Sequence, residues 1–494
     1  MKFSGDSKAI FLLAAFLVAP STIYAQPLAA ASQAVATDAE PALEQTPPDS
    51  HLLYFERPVA LDAQGEASVL ETLAPDEQVL IPETSAFVDL TPQQQEYLQR
   101  LQDIDNYEQM LEQLEYDGGA WSAQIAEELS TLGNLLYQQG DYEQSIEVFD
   151  RAVHVNRVNY GLYSTQQIPL VERIVESHIA LGQWQLADQQ QQYAFYVQSK
   201  AYGARDPRMA DVFENLARWN IASFFRGIDP DPSARLLETY MLFRAAANTV
   251  AFHFGTADPR YVSLLRDVAG ASDMVTRYTP SGTVTATATN PNIRRVSEFV
   301  GVPNDQVRVP NGGGEGALRR ILEFYSDDDR PATQENLMLR VRALAELGDW
   351  YMMEQRRQAA LDAYADAWNL LLTMEEGSVL AQQFFDRIVF LPTFSRFDEE
   401  QREAFQASPD FGARQGYVDI SFDVSRYGRA GNFSVLAVEP AGMGRVDMMA
   451  INHLRSLTVR PRVEAGETLA SAGERYRIPF WYRENPAPAE VTAE

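Results

Sequence analysis

Five histidines stand at positions 51, 154, 178, 253 and 453, and the closest two, His154 and His178, are 24 residues apart. A helix-borne metal site needs two such ligands about one turn apart, and no pair has that spacing. His178 and His453 fall in the packing register of helical segments, where a hydrogen-bonded structural imidazole is expected. The 494 residues include no cysteine, which excludes disulfides, thiolate nucleophiles, Cys-ligated zinc and iron–sulfur clusters. No Gly-x-Ser-x-Gly marks a nucleophile elbow. The glycine cluster Asn311-Gly312-Gly313-Gly314-Glu315-Gly316 has no following Lys-Ser/Thr, so it reads as a loop and not as a phosphate cradle. Asp327-Asp328-Asp329 before Pro331 reads as a solvated turn. With 69 Asp and Glu residues, most carboxylates must be surface, and no spacing singles out a glycosidase-like pair. The residues therefore assign no catalytic group, no cofactor and no metal, and the expectation is a non-enzyme.

The chemistry that remains is charge and shape. There are 40 Lys+Arg against 69 Asp+Glu, a net charge of −29. Phosphate backbones need a dense basic face, so nucleic acid is not the expected partner. The only lysines are Lys2, Lys8 and Lys200; arginine supplies the rest and suits fixed ion pairs. At 46% hydrophobic and 11% aromatic the chain can build sizeable cores. Lys2 and Lys8 precede an apolar run from Ala9 to Ala19, then Pro20 and a small residue, Ala25. This is the secretory pattern, and the run is about half the ~20 residues that span a bilayer. The expectations are a cleaved signal over 1–25, a periplasmic location and no stable transmembrane anchor. Residues 26–50, rich in Ala, Pro, Gln and Glu, read as a disordered spacer. Residues 51–90 read as an extended segment with short strands around Leu52-Leu53-Tyr54-Phe55 and Val79-Leu80-Ile81.

Helical periodicity governs 91–275. Thr91-Pro92-Gln93-Gln94 supplies a cap, a Pro at the first helical position and a Gln reaching back. Three joints, Asn159-Tyr160-Gly161, Ala201-Tyr202-Gly203 and His253-Phe254-Gly255, lie 42 and 52 residues apart. The second and third are followed by the same triplet, Asp206-Pro207-Arg208 and Asp258-Pro259-Arg260. Within one unit Leu132-Gly133, Leu136, Gly140, Tyr142, Ser145, Phe149 and Ala152 are spaced for two helices in close contact. Small residues at 133 and 145 permit the approach, Leu136 and Phe149 fill the space, and Gly140 sits at the reversal. A second unit keeps Gly182, Trp184, Ala187 and Ala194, with Gln191 at an aromatic position. A later unit, within 317–392, keeps Leu347-Gly348, Tyr351, Ala360, Tyr364 and Ala367, with Gln355 where the turn glycine belongs. This pattern resembles the tetratricopeptide repeat, and the long units resemble its kinesin-light-chain subtype. The resemblance implies a solenoid whose first helices line a concave groove. Its groove positions here are Glu127, Asn134 and Tyr137, then Glu172 and Glu176, then Ala345, Asp349 and Met352. Their acidity implies a basic or polar ligand. Between the arrays, 276–316 reads as a flexible insertion.

From Gly416 the period switches to two. Val418, Ile420, Phe422 and Val424 share a strand face; Gly428 and Gly431-Asn432 turn; Phe433, Val435 and Ala437 continue. Residues 444–457 form a helix with Val446, Ala450, Leu454 and Leu457 inward. Tyr476, Ile478, Phe480 and Tyr482 alternate in a last strand. Strand, strand, helix, strand (ββαβ) makes a small α+β unit over 393–485, with 486–494 a disordered tail. Gly416–Val424, Gly428, Leu457-Thr458-Val459-Arg460-Pro461, Gly466 and the last strand resemble the C-terminal domain of the TonB family. That resemblance implies a sheet edge that grips a peptide of an outer-membrane receptor by strand addition, with residues 475–483 the edge. Pro479 there limits how far pairing runs.

The fold class expected is thus mainly α, an α-solenoid of tetratricopeptide-like helix pairs followed by this α+β unit, with 393–494 folding alone. The function expected is a non-catalytic periplasmic scaffold binding envelope proteins or peptides, outer-membrane ones included. The alternative is a TonB-like energy transducer, which requires residues 1–25 to be retained. An envelope hydrolase ranks lower, because no convergent polar cleft shows in the motifs.

Overall fold

The computed structural model describes residues 54–61, 92–228, 232–278, 296, 299, 313–327, 329–406, 413–443 and 445–483. Helices α1 (Pro92–Gly118), α2 (Ala123–Gln139), α3 (Tyr142–Tyr160), α4 (Ile168–Ala180), α5 (Trp184–Tyr202), α6 (Met209–Phe225), α7 (Pro232–His253) and α8 (Pro259–Tyr278) follow one another, each in contact with the next. After the insertion come α9 (Gly313–Tyr325), α10 (Gln334–Met353), α11 (Arg357–Leu372) and α12 (Gly377–Phe385). The predicted signal, the spacer and the tail lie outside the described residues, as does the expected strand near Val79.

Local sequence explains how these helices pair. A Cβ on Gly133 would stand 2.8 Å from the Phe149 ring, and Ser145 Oγ donates to Gly133 O at 2.9 Å. Leu132, Phe149 and Ala152 are buried around this contact. Gly140 ends α2 at φ +93°, with its N–H on the Leu136 and Tyr137 carbonyls, a left-handed cap that suits glycine. In the later unit a Cβ on Gly348 would meet the Tyr364 ring at 2.4 Å, while Ala360, Tyr364 and Ala367 are fully buried. Gln355, at the glycine-less turn, takes φ +59°. The backbone demand of that turn is thus met by a residue that is uncommon there.

The repeated triplet is a local clamp. Asp206 Oδ1 accepts from the backbone N–H and Nε of Arg208, and Arg208 lies over Tyr202 at 3.9 Å. Asp258 and Arg260 repeat this, with Arg260 over Phe254 at 4.6 Å. The Arg208 hydrogen bonds pull the Asp206 carboxyl down to about 2. Each triplet fixes the entry to the next helix, α6 or α8.

The glycine cluster is not a loop throughout. Gly313–Gly316 open α9, and a Cβ on Gly314 would lie 2.2 Å from Trp350. Gly314 N also donates to Ser272 Oγ at 3.1 Å. Those glycines permit close packing, so the reading of 276–316 as flexible is corrected at its end. Val296 within it is buried as well. Apart from Val296 and Phe299, residues 279–312 lie outside the described residues.

The C-terminal sheet comprises β4 (Ala413–Val424), β5 (Ala430–Glu439) and β9 (Ser471–Arg483), covered on one face by a helix, α14 (Val446–Ser456). A short helix, α13 (Asp398–Gln406), precedes it. The alternating residues expected inward on β4 and β9 are buried, together with Val446, Ala450 and Leu454; Leu457 is half-buried. Val435 differs: β5 shifts register against β4 on either side of Ile420–Ser421, and Val435 remains 36% exposed.

Two expectations about this unit are corrected. The last strand is not the edge. β9 pairs with β4 on one side and, on the other, with β1 (Tyr54–Phe55) and β2 (Val59–Ala60). Nor is the unit confined to 393–485. β3 (Val389–Phe390) pairs with β6 (Val459–Arg460), and Ile388 and Phe390 join the sheet's core. A fragment starting at 393 would lack both of these and the β1–β2 strap. Sequence reading also missed a hairpin, β7 (Arg462–Glu464) with β8 (Glu467–Leu469), whose Gly466 packs on Ala365 of α11.

Candidate functional site: the concave groove of the helical array

The expected groove positions lie on the first helices α2, α4 and α10 and divide into two sets. On α2 and α4 they reach solvent. Glu127 and Glu172 are exposed, while Asn134, Tyr137 and Glu176 are half-buried. Spacing of seven places Glu127 and Asn134 on one face of α2. Tyr137 meets Tyr142 edge-on at 5.3 Å, and the Arg173 guanidinium lies 5.9 Å from its ring. Arg173 also binds Glu176 at 2.6 Å. Partial desolvation by its neighbours first, then Glu176, raises the exposed Glu172 carboxyl above its ordinary value. The Asn134 amide is committed to Ser130 O at 2.8 Å. The structure therefore brings together Tyr137, Glu172 and Glu176 of the expected set and adds Arg173. Sequence reading missed this arginine because its partner helix is 36 residues from Tyr137.

Along α6, α8 and α10 the corresponding faces are covered by the chain itself. Asp349, Met352 and Ala345 are buried at 0%, 5% and 2% exposure, which corrects their assignment as peptide-contacting positions. The segment between the array and the sheet lies across them. Phe394 packs on Trp350 at 5.6 Å, and Phe397 stacks on Phe243 at 5.9 Å. A Cβ on Gly270 would touch Phe397 at 2.9 Å. Arg396 donates to Ser263 Oγ at 2.7 Å and to Asp267 at 3.0 Å. Asp267, 1% exposed, is also reached by Arg218 at 3.3 Å, and Arg218 in turn contacts Glu214 and Glu400. Burial outweighs both arginines and lifts the Asp267 carboxyl above its ordinary value.

Asp349 anchors the other end of this segment. Its Oδ1 accepts from Tyr364 OH at 2.9 Å, its Oδ2 from Thr393 Oγ1 at 2.6 Å, and Arg460 Nε approaches to 3.4 Å. Tyr364 and Asp349 come from the repeat unit, Thr393 from the segment and Arg460 from β6. Met352 lies near Gly428, whose turn requires φ +70° and leaves no room for a Cβ beside Val459 O at 2.1 Å. The boundary expected at 392/393 thus falls inside a stretch buried in the groove. Leu391–Phe397 carries no helical or strand period, so nothing in the sequence marked it as a ligand-like segment.

His178 and His453 have structural partners. His178 Nδ1 is 2.8 Å from Gln183 Oε1. His453 is stacked on Phe55 at 5.3 Å, and burial pushes it down to about 4. Among the described residues no group of His, Asp and Glu has the arrangement of a metal site, and no helix is long and apolar enough to cross a membrane.

Residues 126–157 match the family model of the tetratricopeptide repeat, which spans α2 and α3. Among solved structures, the chain is similar to TPR-like repeats from Podosopora anserina assigned to a kinesin light chain. The identity is 15%, covering 54% of this chain and 99% of that chain, with a TM-score of 0.30. A substituted form of the same repeats has 14% identity, 51% and 96% coverage and a TM-score of 0.29. BtubC (BKLC) from P. vanneervenii has 12% identity, 56% and 92% coverage and a TM-score of 0.28. No curated protein matches the chain.

Proposed function

We propose that the chain is a non-catalytic interaction scaffold of the cell envelope, and that its solvent-facing groove along α2 and α4 holds a basic or polar segment of a partner protein. One observation carries this reading: the same helical array already accommodates a non-helical segment, anchored by Phe394 and Phe397 and by Arg396 on Asp267. The chemistry of these positions supports a cationic ligand, since Glu127 and Glu172 are exposed carboxylates beside the Arg173–Glu176 pair. The strand, strand, helix, strand order of the C-terminal sheet supports its TonB-like assignment, and the acidic, cysteine-free composition suits the periplasm.

The groove is tested by placing a photo-crosslinking residue at Asn134 or at Glu147, which lies exposed on α3. A partner adduct is expected at 134, weakened by salt, and lost when Glu172→Arg and Glu176→Arg are added. Adducts of equal yield at 147, or adducts indifferent to the two charge reversals, would remove the reading. Export is tested separately. The intact mass of protein from the periplasmic fraction should match a chain starting at Gln26. A membrane-embedded product that retains residues 1–25 would favour the energy-transducer alternative.

A further inference from the structure

The joints between helix pairs share a charge pattern that helix packing does not require. In a chain with 69 Asp and Glu residues, no acid stands between Asp150 and Glu172, between Asp188 and Asp206, or between Glu238 and Asp258. These acid-free runs contain the α3–α4, α5–α6 and α7–α8 joints. Asp206 and Asp258, which close two of the runs, are each tied to an arginine, Arg208 at 2.7 Å and Arg260 at 3.0 Å. Lys200, the only lysine beyond Lys8, and Arg205 lie exposed in the second run.

Apolar side chains stand out at the same places. Tyr160 and Leu162 are exposed at the α3–α4 joint, Phe252 and Phe254 at the α7–α8 joint, and Tyr116 and Trp121 at the α1–α2 joint. Phe252 is 80% exposed, so folding leaves most of its ring in water. Single exposed apolar residues are ordinary; several in one patch mark a surface that something else covers. Contacts between the joints place them in one row. Asn159 Nδ2 donates to Trp121 O at 2.8 Å, which ties the first joint to the second. Tyr163 OH lies 3.3 Å from Tyr196 OH, and Lys200 Nζ lies 5.5 Å from the Tyr196 ring, which ties the second to the third. Arg260 Nη1 reaches Asp211 Oδ1 at 3.4 Å, which ties the third to the fourth. Asp117, hydrogen-bonded to Gln113, is the exposed acid of the α1–α2 joint.

We infer that this row of joints seats the protein on the surface of a phospholipid bilayer that carries anionic headgroups. The apolar tips enter the interface between headgroups and acyl chains, where Tyr and Trp keep their polar ends wet. Lys200 and Arg205 meet the headgroup phosphates. The net charge of −29 sets the orientation. Surfaces that carry the acids are repelled by such a bilayer, and the acid-free joints are not.

The test uses the full chain, whose lack of cysteine allows a single label. An environment-sensitive fluorophore is attached at Leu162→Cys or, as a control, at Glu143→Cys, exposed at the far end of α3 from the row. Vesicles are phosphatidylcholine alone, or equal parts phosphatidylcholine and phosphatidylglycerol. Emission at 162 should shift to the blue with the mixed vesicles, shift less with phosphatidylcholine alone, and return as salt is raised. Emission at 143 should not change. Both labelled proteins carry residues 1–25, so a difference between the two positions does not come from that apolar run. Adding Tyr160→Ser and Phe252→Ser to the 162-labelled chain should raise the half-saturating lipid concentration about tenfold. Both side chains are exposed, so the fold does not depend on them. Lys200→Glu with Arg205→Glu should abolish the preference for phosphatidylglycerol. Equal shifts at 162 and 143, no shift at 162, an equal response to the two vesicle types, or indifference to the Tyr160 and Phe252 changes overturns the inference. So does a shift at 162 that needs only more protein and no lipid, which would assign the row to a second copy of the chain.

Discussion

Replacing Arg460 with methionine should destabilise the chain by about 3–5 kcal/mol at neutral pH, the usual cost of leaving a buried charge without its partner. Asp349 is fully buried, and its remaining partners, Tyr364 and Thr393, are neutral hydroxyls. Burial already holds its carboxyl above the ordinary value, with Arg460 opposing that rise. A carboxyl raised in the folded state favours folding at low pH, and that contribution is lost as pH rises through the folded value. Without Arg460 the rise grows. The deficit should therefore be largest at neutral pH and should shrink as pH falls toward the ordinary carboxyl range, where Asp349 takes up its proton. Urea unfolding at neutral and at mildly acidic pH measures this. Adding Asp349→Asn should recover most of the loss. A deficit below about 1 kcal/mol, or one that does not change with pH, would show that the pair does not hold the sheet to the array.

Gly348→Trp should be comparably severe. A single Cβ at 348 already comes within 2.4 Å of the Tyr364 ring. Overpacking a tight contact costs about 1–3 kcal/mol or more. Here the displaced ring also carries the hydroxyl that binds Asp349, so packing and the polar cluster fail together. Gly133→Trp and Ala360→Trp probe the same kind of contact, at Phe149 and inside the α10–α11 pair. At 133 the displaced ring carries no such hydrogen bond, so a smaller loss is expected than at 348. Asn134→Ala, one position along and facing the groove, should stay within about 0.5 kcal/mol. Thermal melts of the four variants decide it. A Gly348→Trp melting point within error of wild type would mean that α10 and α11 are not packed as described. Tested with Asp349→Asn, Gly348→Trp should be non-additive, because both changes act on the Tyr364 hydroxyl.

What the sequence determined is local and periodic. Small residues at 133, 145, 348 and 360 could only mean close helix contacts, because those positions recur at the spacing of one helix pair. The alternation through Val418–Val424 and Tyr476–Tyr482 announced two strands with one buried face. The clamp Asp206-Pro207-Arg208 was visible as a repeat, since all its bonds close within three residues. Tertiary structure alone decided what depends on distant segments. The edge of β9 is covered by residues more than four hundred positions earlier, and no period in Tyr54–Leu61 names its partner. Asp349 and Met352 had the right register for a groove, yet the groove there is occupied by Thr393 and Phe394 and backed by Arg460. Periodicity reports which face of an element is apolar or small. It cannot report which other part of the chain arrives on that face, because that is set by the competition of all segments for the same surface. In this protein that competition leaves α2 and α4 facing solvent and fills the rest of the groove from within.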